Sequence, residues 1–453
     1  MPDTIAAIAT APAAAAVGIV RLSGAETRRV LAALFTPVNG RSAAELPPRR
    51  MTYGTVRDAE GRTLDHALAV VFSAGHSYTG EESAELHCHG SPVVLQEVLR
   101  AAFAAGARQA RAGEFTERAF LNGKMDLTEA EAVIDLIDAE TADAAANAAG
   151  QIAGAMRKRI DPVYDSWVDI CAHFHAVLDY PDEDIDPFEL SRLESALQAS
   201  SRTLSALLSS CHRGRMVRSG VRITILGSPN AGKSSLLNAL SGFDRVIVTD
   251  IPGTTRDTVE QTVTLGRHLV RLVDTAGIRD TEDVIEKIGV DRSVEAAKDC
   301  DAALFVVDDS RPLTDEDRRA MDAALEAPEA IAVLNKQDLG AVIEPSDLPF
   351  SYIVPISCKD GTGFDLLEQA FDMLFPDDAP CDGSLLTNAR QADAIVRAKK
   401  SVDAALRSLR AGFTPDAVLV DLEAAMRALG EVTGRTMRED ITNRIFERFC
   451  VGK

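Results

Sequence analysis

The sequence lacks most features of secreted and membrane proteins. Its seven cysteines are scattered singly without a C-x-x-C pair, which argues against a disulfide or zinc framework and favours free thiols in a reducing compartment. No stretch approaches the roughly 18 uninterrupted apolar residues of a membrane helix. The first residues, Met-Pro-Asp-Thr, have neither the basic start nor the apolar run of a signal peptide. We therefore expect a cytoplasmic protein without a membrane segment.

Positive charge is also scarce. The chain has 48 Lys and Arg against 69 Asp and Glu, which gives a formal net charge of −21 at pH 7. Such a polyanion repels nucleic acid at long range, so any RNA contact must come from a local basic patch or from a partner.

With 46% hydrophobic and 26% charged residues, the composition is that of an ordinary globular protein. A length of 453 residues predicts about two to four domains.

The N-terminal region and the flanking helical regions differ in periodicity. One helix at residues 93–105 is predicted among short β-like runs at 4–10, 18–22, 51–56 and 67–72. Ala- and Glu-rich residues predict one long helix over 127–159, a second opening at Asp161-Pro162 and a third over 190–213. From about residue 221 to 375 strand–loop–helix repeats appear, and helical periodicity returns at 391–409 and 418–429. The helices on either side of the α/β insert are expected to form one domain.

The clearest motif is G-S-P-N-A-G-K-S at residues 227–234, between an apolar strand and a helix. It matches G-x-x-x-x-G-K-[ST], in which the glycines let backbone N–H groups point at phosphates beside a helix N-terminus. Lys233 is expected to reach the β- and γ-phosphates, and Ser234 to ligate Mg²⁺.

Three further motifs follow in order, each at the end of an apolar strand. They are D-T-A-G at residues 274–277, N-K-Q-D at 335–338 and S-C-K at 357–359. The carboxylate of Asp338 can accept hydrogen bonds from both N1–H and the exocyclic amine of guanine, which favours GTP over ATP. Since α/β sheets bind ligands at the carboxyl ends of their strands, the four motifs predict one GTP site.

The residues expected at that site extend through the intervening loops. The full set assigned to GTP binding is Asn230, Ala231, Gly232, Lys233, Ser234, Ser235, Thr249, Asp250, Ile251, Pro252, Gly253, Thr254, Thr255, Asp274, Thr275, Ala276, Gly277, Asn335, Lys336, Gln337, Asp338, Ser357, Cys358 and Lys359. Thr255 is chosen over its neighbour Thr254 as the second Mg²⁺ hydroxyl, because one switch residue must sense the γ-phosphate.

The hydrolytic machinery departs from that of Ras-type proteins. Those proteins orient water with a Gln directly after D-T-A-G, and here Ile278 takes that position. Glu286 is near enough in sequence to act through a water, or it is an exposed acid on the switch helix; both interpretations stay open. The amide oxygen of Asn230 suits a monovalent cation that would supply charge in place of an arginine.

The expected fold is multidomain, α/β and all-α. It comprises an N-terminal α+β domain (1–120), a discontinuous helical domain (121–216 and 379–453) and an inserted Ras-like P-loop GTPase domain (217–378). The inserted domain is expected to contain a parallel sheet with helices on both faces.

Four more segments resemble the MnmE (TrmE) family of tRNA-modification GTPases. They are V-G-I-V-R-L-S-G at residues 17–24, S-Y-T-G-E-E at 77–82, G-E-F-T-E-R-A-F-L-N-G-K at 113–124 and the terminal F-C-V-G-K at 449–453. With the GTP motifs, the likeness covers essentially the whole chain. The sequence departs from it at residues 12–16, where P-A-A-A-A replaces a glycine-rich P-x-G-x-G.

The resemblance implies a folate-binding-like N-terminal domain that dimerises and holds 5-formyltetrahydrofolate as a one-carbon donor. Four residues match the family's folate contacts: Arg21, Glu81, Lys124 and Lys453. Cys450 matches a tail thiol that modification needs and GTP hydrolysis does not. Without the resemblance, Cys450 would be read as an inert thiol.

The resemblance also implies a potassium-stimulated mechanism and a set of partners. The residues matching the potassium site are Asn230, Thr249, Ile251 and Thr254, and Glu286 matches the acid that orients water. The implied partners are a second copy of the chain, the flavoprotein MnmG in a heterotetramer, and tRNA. The implied reaction adds a carboxymethylaminomethyl or aminomethyl group to C5 of the wobble uridine.

Two local features of the sequence, and the function of the protein, each have more than one interpretation. His87-Cys88-His89 has the composition of a metal cluster, but alternation along a strand favours a structural role. Four arginines at 213, 215, 218 and 222 either touch RNA phosphates or form a solvated hinge face. A regulatory GTPase of ribosome assembly would use the same GTP motifs, but it would need neither the folate-type contacts nor Cys450.

Overall fold

The computed structural model of the chain describes residues 3–179, 189–242, 261–273, 295–376, 380–436, 445, 446, 449 and 452. The chain divides into two compact units, each treated by itself below. Unit 1 comprises Met1–Asp138, Ala148–Leu208 and Ala389–Lys453, and unit 2 comprises Ala139–Asn147 and Ser209–Asn388. Among the described helices, none is long and apolar enough to cross a membrane.

Unit 1 begins with a seven-stranded sheet of order β3-β4-β5-β6-β2-β1-β7. Its strands are β1 (Ile5–Ile8), β2 (Ala15–Ser23), β3 (Phe35–Pro37), β4 (Thr52–Arg57), β5 (Thr63–Phe72), β6 (Ser83–Gly90) and β7 (Arg108–Gln109). Apolar residues such as Val20 and Leu86 meet α1 (Thr27–Leu34) and α2 (Pro92–Ala104) in one buried core. The predicted strands and the predicted helix of this region are confirmed, with ends shifted by a few residues.

The rest of unit 1 is helical. Its helices are α4 (Leu127–Ile137), α6 (Ala155–Asp179), α7 (Leu190–Ser209), α12 (Ala389–Arg410) and α13 (Pro415–Thr433), preceded by α3 (Glu114–Leu121). The buried Trp167 donates to Ser200 Oγ at 2.9 Å, and Ser201 donates to Asp403 Oδ1 at 2.7 Å. Helices from before and after the insert therefore pack together, as the periodicity predicted.

Three predicted helix boundaries in this region are wrong. The single helix over 127–159 is three helices, because the chain leaves helical geometry after α4, forms α5 (Ala142–Ile152) and turns again before α6. Pro162 lies inside α6 rather than at its start, eight positions into a helix that already begins at Ala155. The helix over 190–213 ends at Ser209 and is followed by α8 (Cys211–Ser219). Alanine-rich composition favours helix at every position, so it does not mark where a helix stops.

Unit 2 contains a six-stranded sheet of order β13-β12-β11-β8-β10-β9. Its strands are β8 (Val221–Leu226), β9 (Gln261–Leu265), β10 (His268–Val273), β11 (Ala302–Asp308), β12 (Ala330–Asn335) and β13 (Tyr352–Pro355). All neighbouring pairs are parallel except β9 with β10. Three of the described helices cover this sheet: α9 (Lys233–Gly242), α10 (Asp315–Ala324) and α11 (Phe364–Leu374).

Both faces of this sheet are covered, as the central strand β11 shows. Leu304 and Val306 belong to a core with α9 and α11, whereas Phe305 and Val307 belong to a second core with α10. Successive side chains of a strand point to opposite faces, so a strand buried on both sides is apolar throughout. The predicted parallel sheet with helices on both faces is present, with one antiparallel edge strand.

Candidate functional site

The phosphate loop follows β8 and leads directly into α9, which begins at Lys233. Lys233 Nζ donates to the carbonyl oxygens of Gly227 at 2.7 Å and Ser228 at 2.9 Å, so the lysine lies across its own loop. Burial lowers the pKa of Lys233, and the negative charge of Asp317 opposes that shift. Asn230 takes a left-handed conformation with φ of 63°, which asparagine tolerates better than most residues. The first turn of α9 carries Ser234 and Ser235 at the positive end of the helix dipole.

A side chain at Gly232 would displace the amide of Asn335, a residue predicted to belong to the base site. Its φ is +103°, and a Cβ built there would lie 2.0 Å from Nδ2 of Asn335. The same amide nitrogen donates to the carbonyl oxygen of Ala231 at 3.0 Å. A side chain at this position would therefore break the contact between the phosphate loop and the loop after β12.

The residues predicted to read the base lie around the ends of β12 and β13. The buried Asn335 closes β12, and its Oδ1 accepts from the Cys358 N–H at 3.3 Å. Asp338 Oδ1 accepts from Ser357 Oγ at 3.0 Å, and Asp338 Oδ2 lies 3.3 Å from Lys359 Nζ. These contacts hold the Asp338 carboxylate in one orientation, which suits the guanine-reading role predicted from the sequence.

Lys336 and Gln337 anchor the same loop to the end of β11. Lys336, with φ of 68°, donates from Nζ to Asp308 Oδ2 at 2.6 Å, and Gln337 Nε2 donates to Asp309. Four strand ends, those of β8, β11, β12 and β13, thus meet at one edge of a parallel sheet. Such an edge is where α/β sheets bind their ligands.

Several predicted site residues lie outside the described part of the chain. They are Thr249, Asp250, Ile251, Pro252, Gly253, Thr254, Thr255, Asp274, Thr275, Ala276, Gly277, Ile278, Glu286, Cys450 and Lys453. The strand β10, which ends one residue before Asp274, runs parallel to β8. The chain therefore enters the D-T-A-G motif from the strand beside the phosphate loop.

In unit 1 the predicted folate residues Arg21, Glu81 and Lys124 each contact or belong to the loop at residues 73–82. The Arg21 guanidinium lies 5.6 Å from the ring centre of Tyr78. Glu81 Oε2 accepts from Ser23 Oγ at 2.8 Å and from Arg118 at 2.9 Å. Lys124 Nζ donates to the carbonyl oxygen of Gly75 at 2.9 Å. The structure thus brings these three residues to one loop.

Arg21 has partners that the sequence alone did not indicate. Glu85 stands opposite it on β6 and accepts from Arg21 Nε at 3.0 Å. The ring centre of Phe115 is 5.7 Å from the guanidinium. Glu85 also lies 3.1 Å from His87 Nε2. These neighbours depend on the pairing of β2 with β6, for which the sequence gives no local signal.

Two local features had alternative interpretations in the sequence, the His-Cys-His run at residues 87–89 and the arginines at residues 213–222. His87 pairs with Glu85 and His89 with Asp65, while burial raises the pKa of Cys88 to about 12. Within the described ranges no group of three metal-binding side chains occurs, and the structural role of residues 87–89 stays a prediction. In the arginine segment, Arg215 forms an ion pair with Asp301. Contact of that segment with RNA stays a prediction.

The comparisons with known proteins cover the whole chain. Residues 4–124 match the family description "GTP-binding protein TrmE N-terminus", and residues 127–450 match "MnmE helical domain". The tRNA modification GTPase MnmE of Roseiflexus sp. (strain RS-1) is 43% identical over 464 residues, covering 100% of this chain and 99% of that protein.

The chain belongs to the MnmE family of tRNA modification GTPases.

MnmE of Thermoanaerobacter sp. (strain X514) is 39% identical over 458 residues, again covering 100% of this chain and 99% of the relative. As a member of the MnmE family, the chain is a GTP hydrolase of tRNA modification. Among solved structures, the G domain of the T. maritima FeoB iron transporter is 24% identical, covers 34% of this chain and 98% of that chain, and has a TM-score of 0.26. The translation elongation factor SelB from Methanococcus maripaludis is 22% identical, covers 35% and 34%, and has a TM-score of 0.27.

Proposed function

We propose that the chain hydrolyses GTP to drive addition of a carboxymethylaminomethyl or aminomethyl group to C5 of the wobble uridine of certain tRNAs. It acts as a homodimer in a heterotetramer with a flavoprotein, MnmG, in the cytoplasm. The proposal rests on two features found in one chain. In unit 2, the predicted GTP motifs meet at one edge of the sheet; unit 1 contains the C-terminal tail and the group formed by Arg21, Tyr78, Glu81 and Lys124, called the Arg21 cluster below. A regulatory GTPase of ribosome assembly would need only the GTP motifs. The domain boundaries at residues 120, 216 and 378 belong to the same proposal.

In the proposed GTP site, different loops bind the phosphates, Mg²⁺ and the guanine base. Backbone N–H groups of residues 230–235 and the Lys233 ammonium hold the β- and γ-phosphates, and Ser234 and Thr255 hold Mg²⁺. Asp338 reads guanine, while Lys336 and Cys358 complete the base pocket. The switch segments 249–255 and 274–277 sense the γ-phosphate.

Hydrolysis relies on groups other than a glutamine. Glu286 orients the attacking water, since Ile278 has no hydrogen-bonding group. Asn230, Thr249, Ile251 and Thr254 offer oxygen atoms to K⁺, and Asn230 is an exposed, left-handed residue of the phosphate loop. Potassium, when bound there, supplies positive charge where negative charge develops on the leaving phosphate oxygen.

The proposed one-carbon site is the Arg21 cluster. The exposed Tyr78 offers a ring face beside the Arg21 guanidinium, a surface suited to a flat heteroaromatic ring, and the buried Phe115 packs against the same guanidinium. Glu81 offers a carboxylate acceptor, and Lys124 carries a positive charge suited to the glutamate tail of 5-formyltetrahydrofolate. These residue types fit the ligand, because a folate presents a flat ring with donors at one end and carboxylates at the other.

The C-terminal tail reaches the same domain. Gly452 has φ of +105°, and a Cβ there would lie 2.3 Å from the carbonyl oxygen of Ile8. Ile8 pairs with Val20, the neighbour of Arg21. Phe449 is buried in a cluster with Leu127. Since consecutive Cα atoms are about 3.8 Å apart, we propose that Lys453 joins the folate site and that Cys450 acts in modification beside it.

Arg21→Ala is expected to weaken binding of 5-formyltetrahydrofolate to the full chain by roughly 10- to 100-fold. A hydrogen bond to a charged group contributes about 1.5–3 kcal/mol, which corresponds to that range. Isothermal calorimetry measures the affinity. Arg29→Ala, at an exposed arginine that pairs with Glu26 and with the carbonyl oxygen of Ala105, is the matched control and should bind as the wild type does. GTP hydrolysis should be unchanged in both variants; full folate affinity in Arg21→Ala would remove Arg21 from the site.

A further inference from the structure

A buried carboxylate contacts the phosphate loop through the side chain of Ser228. Asp317, in the first turn of α10, has no exposed surface. Its Oδ1 accepts from Ser228 Oγ at 2.5 Å, and its Oδ2 accepts from Arg311 at 2.6 Å. A buried charge is costly unless it is paired and fully hydrogen-bonded, and here the partners come from two separate loops.

Ser228 is the point at which this cluster meets the phosphate loop. Its side chain is 3% exposed and contacts both Asp317 and, at 3.3 Å, the second guanidinium nitrogen of Arg311. Its carbonyl oxygen accepts from Lys233 Nζ. Ser228 is thus held at its side chain by Asp317 and Arg311, and its carbonyl oxygen accepts from the lysine that is expected to reach the phosphates.

The charges in the cluster strengthen these contacts. Burial alone would raise the pKa of Asp317, but hydrogen bonds from Arg311, Ser228 and Thr314 hold it far below its usual range. Asp317 is therefore ionised throughout the neutral range, and the bond from Ser228 is charge-assisted. Such bonds are shorter and roughly twice as strong as neutral ones.

We propose that Arg311 and Asp317 are positioning residues that hold the phosphate loop, through Ser228, in the geometry that receives the β-phosphate of GDP and GTP. Neither residue belongs to the four nucleotide motifs. Their effect should therefore appear only for nucleotides that carry a β-phosphate.

Helix capping is the competing explanation for Asp317. Asp317 also forms a capping box with Thr314, which starts α10 independently of Ser228. Asp317→Asn would disturb both roles. Arg311 and Ser228 take no part in the box, so substitutions at these two positions separate loop positioning from helix capping.

The test uses the full chain with Arg311→Ala, Ser228→Ala and Arg311→Lys, and measures displacement of a fluorescent GDP by GDP and by GMP. Arg311→Ala and Ser228→Ala are each expected to weaken GDP by about 10-fold and GMP by less than about 2-fold, because GMP lacks the β-phosphate. Arg311→Lys should recover part of the GDP affinity, since an ammonium still pairs with Asp317. Arg319→Ala, on the exposed side of α10, is the matched control and should bind both nucleotides normally.

The double variant Ser228→Ala/Arg311→Ala makes the test stricter. If both residues act through one connection, its loss of GDP affinity should be close to that of either single variant. Unchanged GDP affinity in the single variants, strictly additive losses, or equal weakening of GDP and GMP with a lowered Tm would each overturn the proposal.

Discussion

Asp338→Asn is expected to weaken GTP binding by about 10²–10³-fold and to convert the site to xanthosine triphosphate, because a site built to hydrogen-bond one edge rejects a mismatched one strongly. The aspartate accepts from N1–H and the exocyclic amine of guanine. An asparagine presents one acceptor and one donor, which matches the xanthine edge, where a carbonyl replaces the amine.

The surroundings of Asp338 make this a test of one carboxylate. Burial alone would raise the pKa of Asp338, but the Ser357 hydroxyl and the Lys359 ammonium lower it, so the acid is ionised at neutral pH. Ser357 can bond to an amide oxygen as well, which preserves the orientation of the substituted side chain. Competition titrations with GTP and xanthosine triphosphate measure the change, with the exposed Asp347→Asn as control. Unaltered GTP affinity would mean that another group reads guanine.

Glu286→Ala is expected to lower single-turnover GTP hydrolysis by ~10²–10⁴, the usual contribution of a positioned acid–base group. Ile278, directly after D-T-A-G, cannot orient water, so Glu286→Ala removes the side chain that is proposed to do so. GDP affinity should not change, because the phosphate loop and Asp338 remain. Glu282→Ala, four residues earlier, is the matched control and should retain the wild-type rate. A fully active Glu286→Ala protein would contradict the assignment.

Single-turnover hydrolysis measured in potassium and in sodium distinguishes the contribution of the potassium site from that of Glu286. Potassium should accelerate the wild type and the smaller sodium ion should not. Because Asn230 has φ of 63°, Asn230→Gly removes the amide oxygen without straining the loop, and it should abolish the potassium response. Light scattering with GDP and aluminium fluoride should still show potassium-induced dimers of Glu286→Ala. Equal wild-type rates in the two salts would remove potassium from the mechanism.

The nucleotide edge could be predicted from sequence because its signals are local. The apolar runs before residues 227 and 335 and the polar motifs after them indicate strand ends, and parallel strands bring such ends together. In the structure, Asn335 accordingly contacts Ala231, although 104 residues separate them. The sequence did not predict that the helix would end after Ile137 or that a new helix would begin at Ala155. An alanine-rich segment favours helix throughout, and tertiary packing decides where each helix stops.

The partners of the functional residues could not be predicted in the same way. Arg21 and Glu85 are 64 residues apart and meet only because β2 and β6 pair in one register. Ser228 meets Asp317 across 89 residues, between a loop and a helix N-terminus. The T-x-x-D pattern at residues 314–317 predicts a helix start, but nothing in it indicates that the carboxylate also reaches the phosphate loop.

The most direct test of the account is nucleoside analysis by mass spectrometry of tRNA from cells that lack this protein. We expect the carboxymethylaminomethyl or aminomethyl group at C5 of the wobble uridine to be missing, to return with the wild-type chain, and to stay missing with Lys233→Ala. Fully modified tRNA in the deletion strain, together with accumulation of incomplete ribosomal particles, would contradict the account and favour a GTPase of ribosome assembly.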